Sequence, residues 1–206
     1  SAYGKVFVTA SADKTIRVWD LANAKELRQI AGHAEKLQCV ALSPDGKTVA
    51  AAGAGKIHSI KLWEVDTGKD VREITGHGGS VLSLAFSPNG QQLVSGGDDN
   101  LAKLWDVATG NAVRDIKGHE GPVNAVAFTA NGAQVVSGSG DNSVRLWNVA
   151  DAAQVRAFAG HTGPVLAVAL NKDGSRLVSG SADKTVKIWN AADGAALQTL
   201  AGHGAE

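Results

Sequence analysis

The sequence predicts an all-β fold built from five small antiparallel sheets. Three observations predict it: a repeat that runs the length of the chain, short strand-like runs in fours within each repeat, and no segment with the length and 3.6-residue period of a helix. Trp19, Trp63, Trp105, Trp147 and Trp189 set the ruler, 44 residues apart once and 42 thereafter. Gly32-His33, Gly76-His77, Gly118-His119, Gly160-His161 and Gly202-His203 keep the same register. The clearest copy runs from Gly118 to Asn148: a Gly-His pair, an alternating apolar strand, a Ser-Gly-Ser-x-Asp turn, and a strand ending in Trp147.

The elements follow in order. Ser1 to Gly4 (SAYG) occupies the place of SPDG (Ser43 to Gly46) and SPNG (Ser87 to Gly90), which are turns. Proline presets φ there, and Asp-Gly or Asn-Gly reverses the chain. KVFVTA then reads as a strand, SADK as a turn, TIRVW as a second strand and KELRQI (Lys25 to Ile30) as a half-exposed third. Later units have four strands. In the third unit VLSLAF (Val81 to Phe86) is apolar at nearly every position, which suits a strand covered on both faces. QQLVS (Gln91 to Ser95) and LAKLW (Leu101 to Trp105) follow. NAVRDI (Asn111 to Ile116), with one apolar and one polar face, closes the unit on its outer edge.

Bulk properties narrow the function. The 206 residues carry 20 basic and 20 acidic side chains, a formal charge of zero, and no basic run. The electrostatic footprint of a nucleic-acid binder is absent. No apolar run has the length of a membrane span, and no charged-then-apolar leader opens the chain. A cytoplasmic location is the expectation. Cys39, in LQCVAL, reads as a buried free thiol. The chain starts at Ser1 and contains no methionine, so its natural start is expected upstream. Because the repeat spans everything, residues 1–206 read as one domain.

Short antiparallel strands in fours, repeated every 42 residues, imply radial packing of small twisted sheets. One sheet cannot bury both its faces, so its neighbours supply the cover. This is a β-propeller with five blades, either whole or a segment of a larger ring. The motif Gly-His, SPDG-type turn, Ser-Gly-Ser-x-Asp, then a strand ending in Trp-Asp resembles the WD-repeat (WD40) family. The terminal pairs are Trp19-Asp20, Trp63-Glu64, Trp105-Asp106, Trp147-Asn148 and Trp189-Asn190, and the likeness covers essentially the whole chain.

His119, Ser137, Asp141 and Trp147 stand at fixed offsets. The same set recurs as His77, Ser95, Asp99 and Trp105, and as His161, Ser179, Asp183 and Trp189. A Ser/His/Asp set invites comparison with a catalytic triad. Repetition in blade after blade argues for structure, because catalysis needs one constellation in one cleft. The resemblance implies a hydrogen-bond network in which Asp accepts from His, His meets Ser, and the chain ends on the Trp indole N–H. One histidine per blade lacks the close ligand spacing of a zinc site, so no metal or cofactor is expected. The second unit departs from the pattern. Ala51 replaces Ser, no Asp follows, and the turn is two residues longer, with His58 in the loop Gly53 to Ser59. It reads as a drifted blade with a tolerated insertion.

The resemblance further implies a non-catalytic platform for proteins or peptides, contacted on the face that carries the Gly-His loops. Carried over by position, the contact candidates are Lys36, Gln38, Ser80, Leu82, Pro122, Asn124, Pro164 and Leu166. The residues before the network Asp join them: Ala12, Asp98, Gly140 and Ala182. Leu82 and Leu166 point to an apolar partner. A hydrolase is the disfavoured alternative. The remaining alternative comes from the chain ends. The first blade has no innermost strand, so its open edge would accept a strand from another chain or drive self-association. Closure of the ring head to tail would bring His203 beside Thr9, Asp13 and Trp19.

Overall fold

The computed structural model describes residues 4–204; the Ser1–Tyr3 part of the SAYG turn, and Ala205 and Glu206, lie outside it. The described chain is all β, in five antiparallel sheets. The first holds β1 (Val6–Ala10), β2 (Ile16–Asp20) and β3 (Glu26–Ile30). The second holds β4 (Leu37–Leu42), β5 (Thr48–Gly53), β6 (Ile60–Glu64) and β7 (Asp70–Ile74). The third holds β8 (Val81–Phe86), β9 (Gln92–Gly97), β10 (Ala102–Asp106) and β11 (Ala112–Ile116). The fourth holds β12 (Val123–Phe128), β13 (Gln134–Ser139), β14 (Val144–Asn148) and β15 (Gln154–Phe158). The fifth holds β16 (Val165–Leu170), β17 (Arg176–Ser181), β18 (Thr185–Asn190) and β19 (Ala196–Ala201).

Strand order within each sheet is the order in sequence, so every blade is a meander. β4, β8, β12 and β16 pack side by side from blade to blade, which puts them at the centre and β7, β11, β15 and β19 at the rim. The blades are joined by apolar clusters that lie between them. Ala50, Ala52, Ile60, Leu62 and Ile74 of the second blade close on Val81, Leu84, Leu93 and Trp105 of the third. The same junction recurs on either side, around Trp63, Trp147 and Trp189. These four tryptophans are 1–2% exposed, whereas Trp19 is only half-buried. Blade packing therefore decides which indoles are shut away from water.

Two sequence readings need adjusting. The fully covered strand of the third blade is β9, buried at five of its six positions, while β8 is half-open along the centre. The innermost strand has a neighbouring blade on its faces but no further strand on its inner edge. At the rim, NAVRDI does not show one apolar and one polar face: only Ile116 of the strand is buried, and Ala112 and Val113 are both exposed. The register slips between Leu104 and Trp105, leaving Val113 as the extra residue of a β-bulge. The same slip in the other blades exposes Leu27, Val71, Val155 and Leu197.

Blades are also clasped at the rim. Arg72 on β7 donates to Thr109 O (2.8 Å) and Ala108 O (2.6 Å) in the next blade's turn. Arg28 reaches Thr67 O (3.4 Å), and Arg156 reaches Asp193 O (2.8 Å). Each guanidinium stacks its stem against a turn glycine, Gly68, Gly110 or Gly194, whose positive φ suits a residue without Cβ.

Trp105→Ala is expected to cost about 3–5 kcal/mol, the scale for losing a large buried aromatic. Trp19→Ala, at a half-open site, should cost clearly less. Paired denaturant titrations of the two variants check this, and equal losses would contradict the junction account.

Candidate functional site

Three blades build the same buried relay. Trp105 Nε1–H donates to Ser95 Oγ (2.7 Å), Ser95 lies 2.6 Å from His77 Nε2, and His77 Nδ1 lies 3.0 Å from both Asp99 oxygens. In the fourth blade the corresponding distances are 2.7, 2.6 and 2.8 Å, through Trp147, Ser137, His119 and Asp141. In the fifth they are 2.8, 2.8 and 2.7 Å, through Trp189, Ser179, His161 and Asp183. The register makes this possible: β9 pairs Ser95 with Lys103, two residues before Trp105, so the indole lies diagonally beside the hydroxyl.

The proton order follows from the donors available. A serine hydroxyl that accepts from the indole has its own proton left for His Nε2. The ring must then be neutral, with its proton on Nδ1, aimed at the carboxylate. Burial favours this state: it pushes His77 and His119 below their ordinary value, only partly offset by Asp99 and Asp141. Burial would raise the aspartates, but hydrogen bonds outweigh it. Gly78 N–H and His77 hold Asp99 down, and Ser143 and His119 hold Asp141 well below the carboxylate range. Thr185, His161 and Thr162 N–H do the same for Asp183. Ser95, Ser137 and Ser179 are wholly buried, each hydroxyl committed to an indole and an imidazole. A buried hydroxyl committed on both sides fits a structural network.

The second blade shows what the missing members did. Trp63 Nε1 and His33 Nε2 are both buried without a partner, facing Ala51. His33 Nδ1 faces the backbone of Glu35 instead, 3.1 Å from the carbonyl oxygen, to which an Nδ1–H donates, and 3.1 Å from the nitrogen. Glu35 fills the longer loop, its Oε1 accepting from Ile57 N–H (2.9 Å). His58 sits in that loop at φ 52, apart from the network. A residue overlooked by sequence reasoning explains the departure. The other blades have glycine at the Glu35 position, because a Cβ at Gly79, Gly121 or Gly163 would stand 3.0, 2.8 or 2.9 Å from the backbone nitrogen of the network Asp. The signal was present: GHGGS, GHEGP and GHTGP against GHAEK.

A basic residue two before each Trp was also overlooked. Lys103, 8% exposed, pairs with Asp115 at 2.7 Å. Lys61 reaches Asp70 (2.6 Å) and Gly32 O (3.1 Å), and Arg145 reaches Gly118 O (2.8 Å). Lys61 and Arg145 thereby tie the Gly-His turn to the rim strand, Arg145 through Gln154 Oε1 (3.1 Å).

The first blade keeps Trp19 Nε1–H on Thr9 Oγ1 (2.9 Å), and Asp13 accepts from Thr15 N–H (2.9 Å) and Thr15 Oγ1–H (2.6 Å). His203 is not there. It lies, exposed, along the fifth blade near Leu166, Ala167 and Val186. The chain is an open arc over the described residues, so the head-to-tail approach of His203 does not occur. Cys39 is half-buried by surface area, but desolvation within the blade junction pushes its thiol up to about 12, so it stays protonated and inert.

The contact candidates fall into one pattern. In each innermost strand the register slips by one residue, between Leu37/Cys39, Val81/Ser83, Val123/Ala125 and Val165/Ala167. The extra residues are Gln38, Leu82, Asn124 and Leu166. Gln38 and Leu166 are exposed, Leu82 and Asn124 half-buried. Asn124 is partly engaged, donating to Val165 O (2.9 Å). The second set lies alongside. Asp98 N–H donates to Ser80 O (2.9 Å), Gly140 N–H to Pro122 O (2.8 Å), and Ala182 N–H to Pro164 O (2.9 Å). Lys36 O accepts from Ala54 N–H (3.1 Å) in the same way. Ala12, the first-blade counterpart, is exposed. The two sets are thus one rim, although their carry-over came from the sequence alone.

The family described as "WD domain, G-beta repeat" matches residues 1–20, 24–64, 68–106, 110–148 and 152–190. This chain belongs to the WD-repeat family. It is similar to "WD repeat and SOCS box-containing protein 1" of Xenopus tropicalis, 42% identical over 52 residues, which is 25% of this chain and 12% of that protein. The Danio rerio protein of the same name is 44% identical over 52 residues, again 25% and 12%. A WD repeat-containing protein of Schizosaccharomyces pombe is 45% identical over 42 residues, 20% of this chain and 10% of that protein. The matched segment thus spans about one repeat and a small part of each relative. Among the described residues, no group of three or more His, Cys, Asp or Glu side chains is placed to share an ion.

Two outcomes are expected of the relay. His119→Ala should lose about 1–3 kcal/mol by stranding Ser137 and Asp141, and His33→Ala clearly less. Conversely, Ala51→Ser should stabilise the chain by a similar amount, giving Trp63 an acceptor and His33 Nε2 a donor; unchanged denaturant midpoints for Ala51→Ser would contradict this.

The pH dependence follows with its sign. His77 and His119 titrate below their ordinary 6.5, and Asp141 and Asp183 below their ordinary 3.8. The unfolded chain therefore binds more protons, and stability is full above those ordinary values. It should fall as pH drops below the histidine value and fall further below the carboxylate value. Stability rising on acidification in a denaturant series would overturn the neutral-imidazole assignment.

Proposed function

We propose that the chain is a non-catalytic platform that binds a protein or peptide on the face carrying the Gly-His loops. The observation behind this reading is the bulge repeated in all four innermost strands. A bulge breaks the ladder locally and re-aims a side chain. Here it brings Gln38, Leu82, Asn124 and Leu166 to equivalent positions around the centre. Beside them, Lys36, Ser80, Asp98, Pro122 and Pro164 are joined by backbone hydrogen bonds that hold the rim in place. A rigid rim loses little entropy on binding, which favours affinity from few contacts. The rim mixes one cation, one anion, amides and two leucines, so the partner is recognised by shape and apolar contact more than by charge. WD-repeat proteins generally act in this way, without chemistry of their own. The buried serines support the same view.

Replacing Leu82 and Leu166 together by Glu is expected to abolish capture of a protein or peptide partner in a pull-down and leave the melting temperature nearly unchanged. Gln91→Glu with Lys172→Glu, in the turns at the other end of the blades, should retain it. Capture that survives the leucine exchange would remove this face.

A further inference from the structure

At the end of the blades opposite the Gly-His loops, the four-stranded blades reverse in tight turns over residues 43–46, 87–90, 129–132 and 171–174. The proline of one turn packs on the glycine of the next blade's turn. A Cβ on Gly90 would stand 3.6 Å from Pro44 Cδ, and one on Gly132 3.4 Å from Pro88 Cδ. Between the fourth and fifth blades this filling stops. Ala130 holds the proline position, and a Cβ on Gly174 would meet nothing within 4 Å. Two more side chains shrink at the same junction. Phe86 and Val107 pack into the second-to-third junction, and Phe128 and Val149 into the third-to-fourth. Their counterparts in the fifth blade are Leu170 and Ala191. The result is a cleft of two adjoining cavities, about 490 and 320 Å³, which share Thr129, Gln134, Asp173 and Gly174. The matching cleft at the second-to-third junction is a single cavity of about 320 Å³.

We propose that the cleft between the fourth and fifth blades binds a partner peptide segment that presents a proline beside an acidic residue. The chain's own junctions say what fits, because Pro44 and Pro88 fill the matching space against Gly90 and Gly132. A proline from outside makes the same contact at Gly174, and its φ is fixed before binding, which lowers the entropic cost. Val155, set outward by the rim bulge and 40% exposed, adds an apolar lip. Charge selects the neighbouring residue. The second-to-third cleft is lined by Asp45 and by no cation, whereas the fourth-to-fifth is lined by Lys172, Arg156 and Asp173. Asp173 already accepts from Ser175 N–H (2.8 Å), and Lys172 is exposed. Two cations against one anion leave the mouth positive, which favours a carboxylate there. The volume is that of a site for a few residues, not for a folded domain. This cleft lies at the opposite end of the blades from the rim of Gln38, Leu82, Asn124 and Leu166, so it stands or falls apart from the function proposed for that rim.

The probe is a blocked peptide, Ser-Pro-Asp-Gly, titrated into the 206-residue chain and followed by backbone amide NMR. Saturable shifts are expected at Ala130, Leu170, Gly174 and Ala191, and none at Gln38 or Leu82. Alanine in place of the peptide's proline should weaken binding about tenfold or more. Ala130→Pro should remove binding by closing the cleft from within, since proline presets φ at this turn position as at Pro44 and Pro88. Leu170→Phe with Ala191→Val closes it by a second route if Ala130→Pro fails to fold. Lys172→Glu should weaken binding of Ser-Pro-Asp-Gly more than that of Ser-Pro-Asn-Gly. Leu82→Glu with Leu166→Glu should leave peptide binding unchanged, which separates this cleft from the rim. Absence of saturable shifts overturns the proposal. So does equal binding of the alanine peptide, or a folded variant with the closed cleft that binds like the parent.

Discussion

In the third, fourth and fifth blades the tryptophan is buried by the neighbouring blade, and its indole N–H is satisfied from within its own blade. That pairing organises the repeat. Water is excluded from the junction, so an unpaired N–H there costs as much as a lost hydrogen bond. A serine two registers away supplies the acceptor, a neutral histidine accepts the serine proton, and an aspartate takes the last proton at the surface. The relay carries polarity from the apolar junction out to the loop face: the indole donates, serine and histidine each donate once and accept once, and the carboxylate accepts. Because Asp141 also accepts from Glu120 N–H and Ser143 N–H, the same chain fixes the loops beside the proposed binding rim. Core packing and loop geometry are thereby one problem.

The second blade shows how the parts depend on one another. Without the aspartate turn there is no backbone pressed against the residue two after His33, so a side chain fits where glycine is otherwise required. Glu35 occupies that space, holds the longer loop through Ile57 N–H, and leaves its own Oε2 buried and unpartnered. Loss of Ser, loss of Asp, gain of Glu35 and lengthening of the turn form a single structural change. The blade stays folded because its apolar junctions, closed by Val49, Leu62 and Trp63, remain 1% exposed or less.

Much of this was legible in the sequence, and the reason is the repeat. Five tryptophans on one ruler gave the blades, and three copies of His, Ser and Asp at one spacing gave the relay, because each member recurs at a fixed offset in a regular strand. What could not be read depends on contacts between repeats or on breaks in the pairing. NAVRDI reads as having one apolar and one polar face, but with a one-residue slip at Val113 only Ile116 of the strand is buried. The Arg72 clasp is a side-chain reach to backbone carbonyls of the next blade, which no motif encodes. The approach of His203 to the first blade assumed a closed ring, and the curvature of an arc is set by packing between blades rather than by any residue spacing.

Stability and recognition use different residues here, and that separation follows from the geometry of a blade. The flat faces are consumed by neighbouring blades, and the outer strand by the arginine clasps. What remains for a partner is the end of each innermost strand. A regular ladder would leave its side chains alternating between the two covered faces. The bulge breaks this alternation at Gln38, Leu82, Asn124 and Leu166, freeing one side chain per blade from the junctions. Asn124, whose amide donates to Val165 O, shows that the position can instead be drawn back into the scaffold. The repeat thus holds a rim of residues whose chemistry can change without disturbing Trp, Ser, His and Asp, and the amide at Asn124 marks the one place on it where recognition and stability compete for the same atoms.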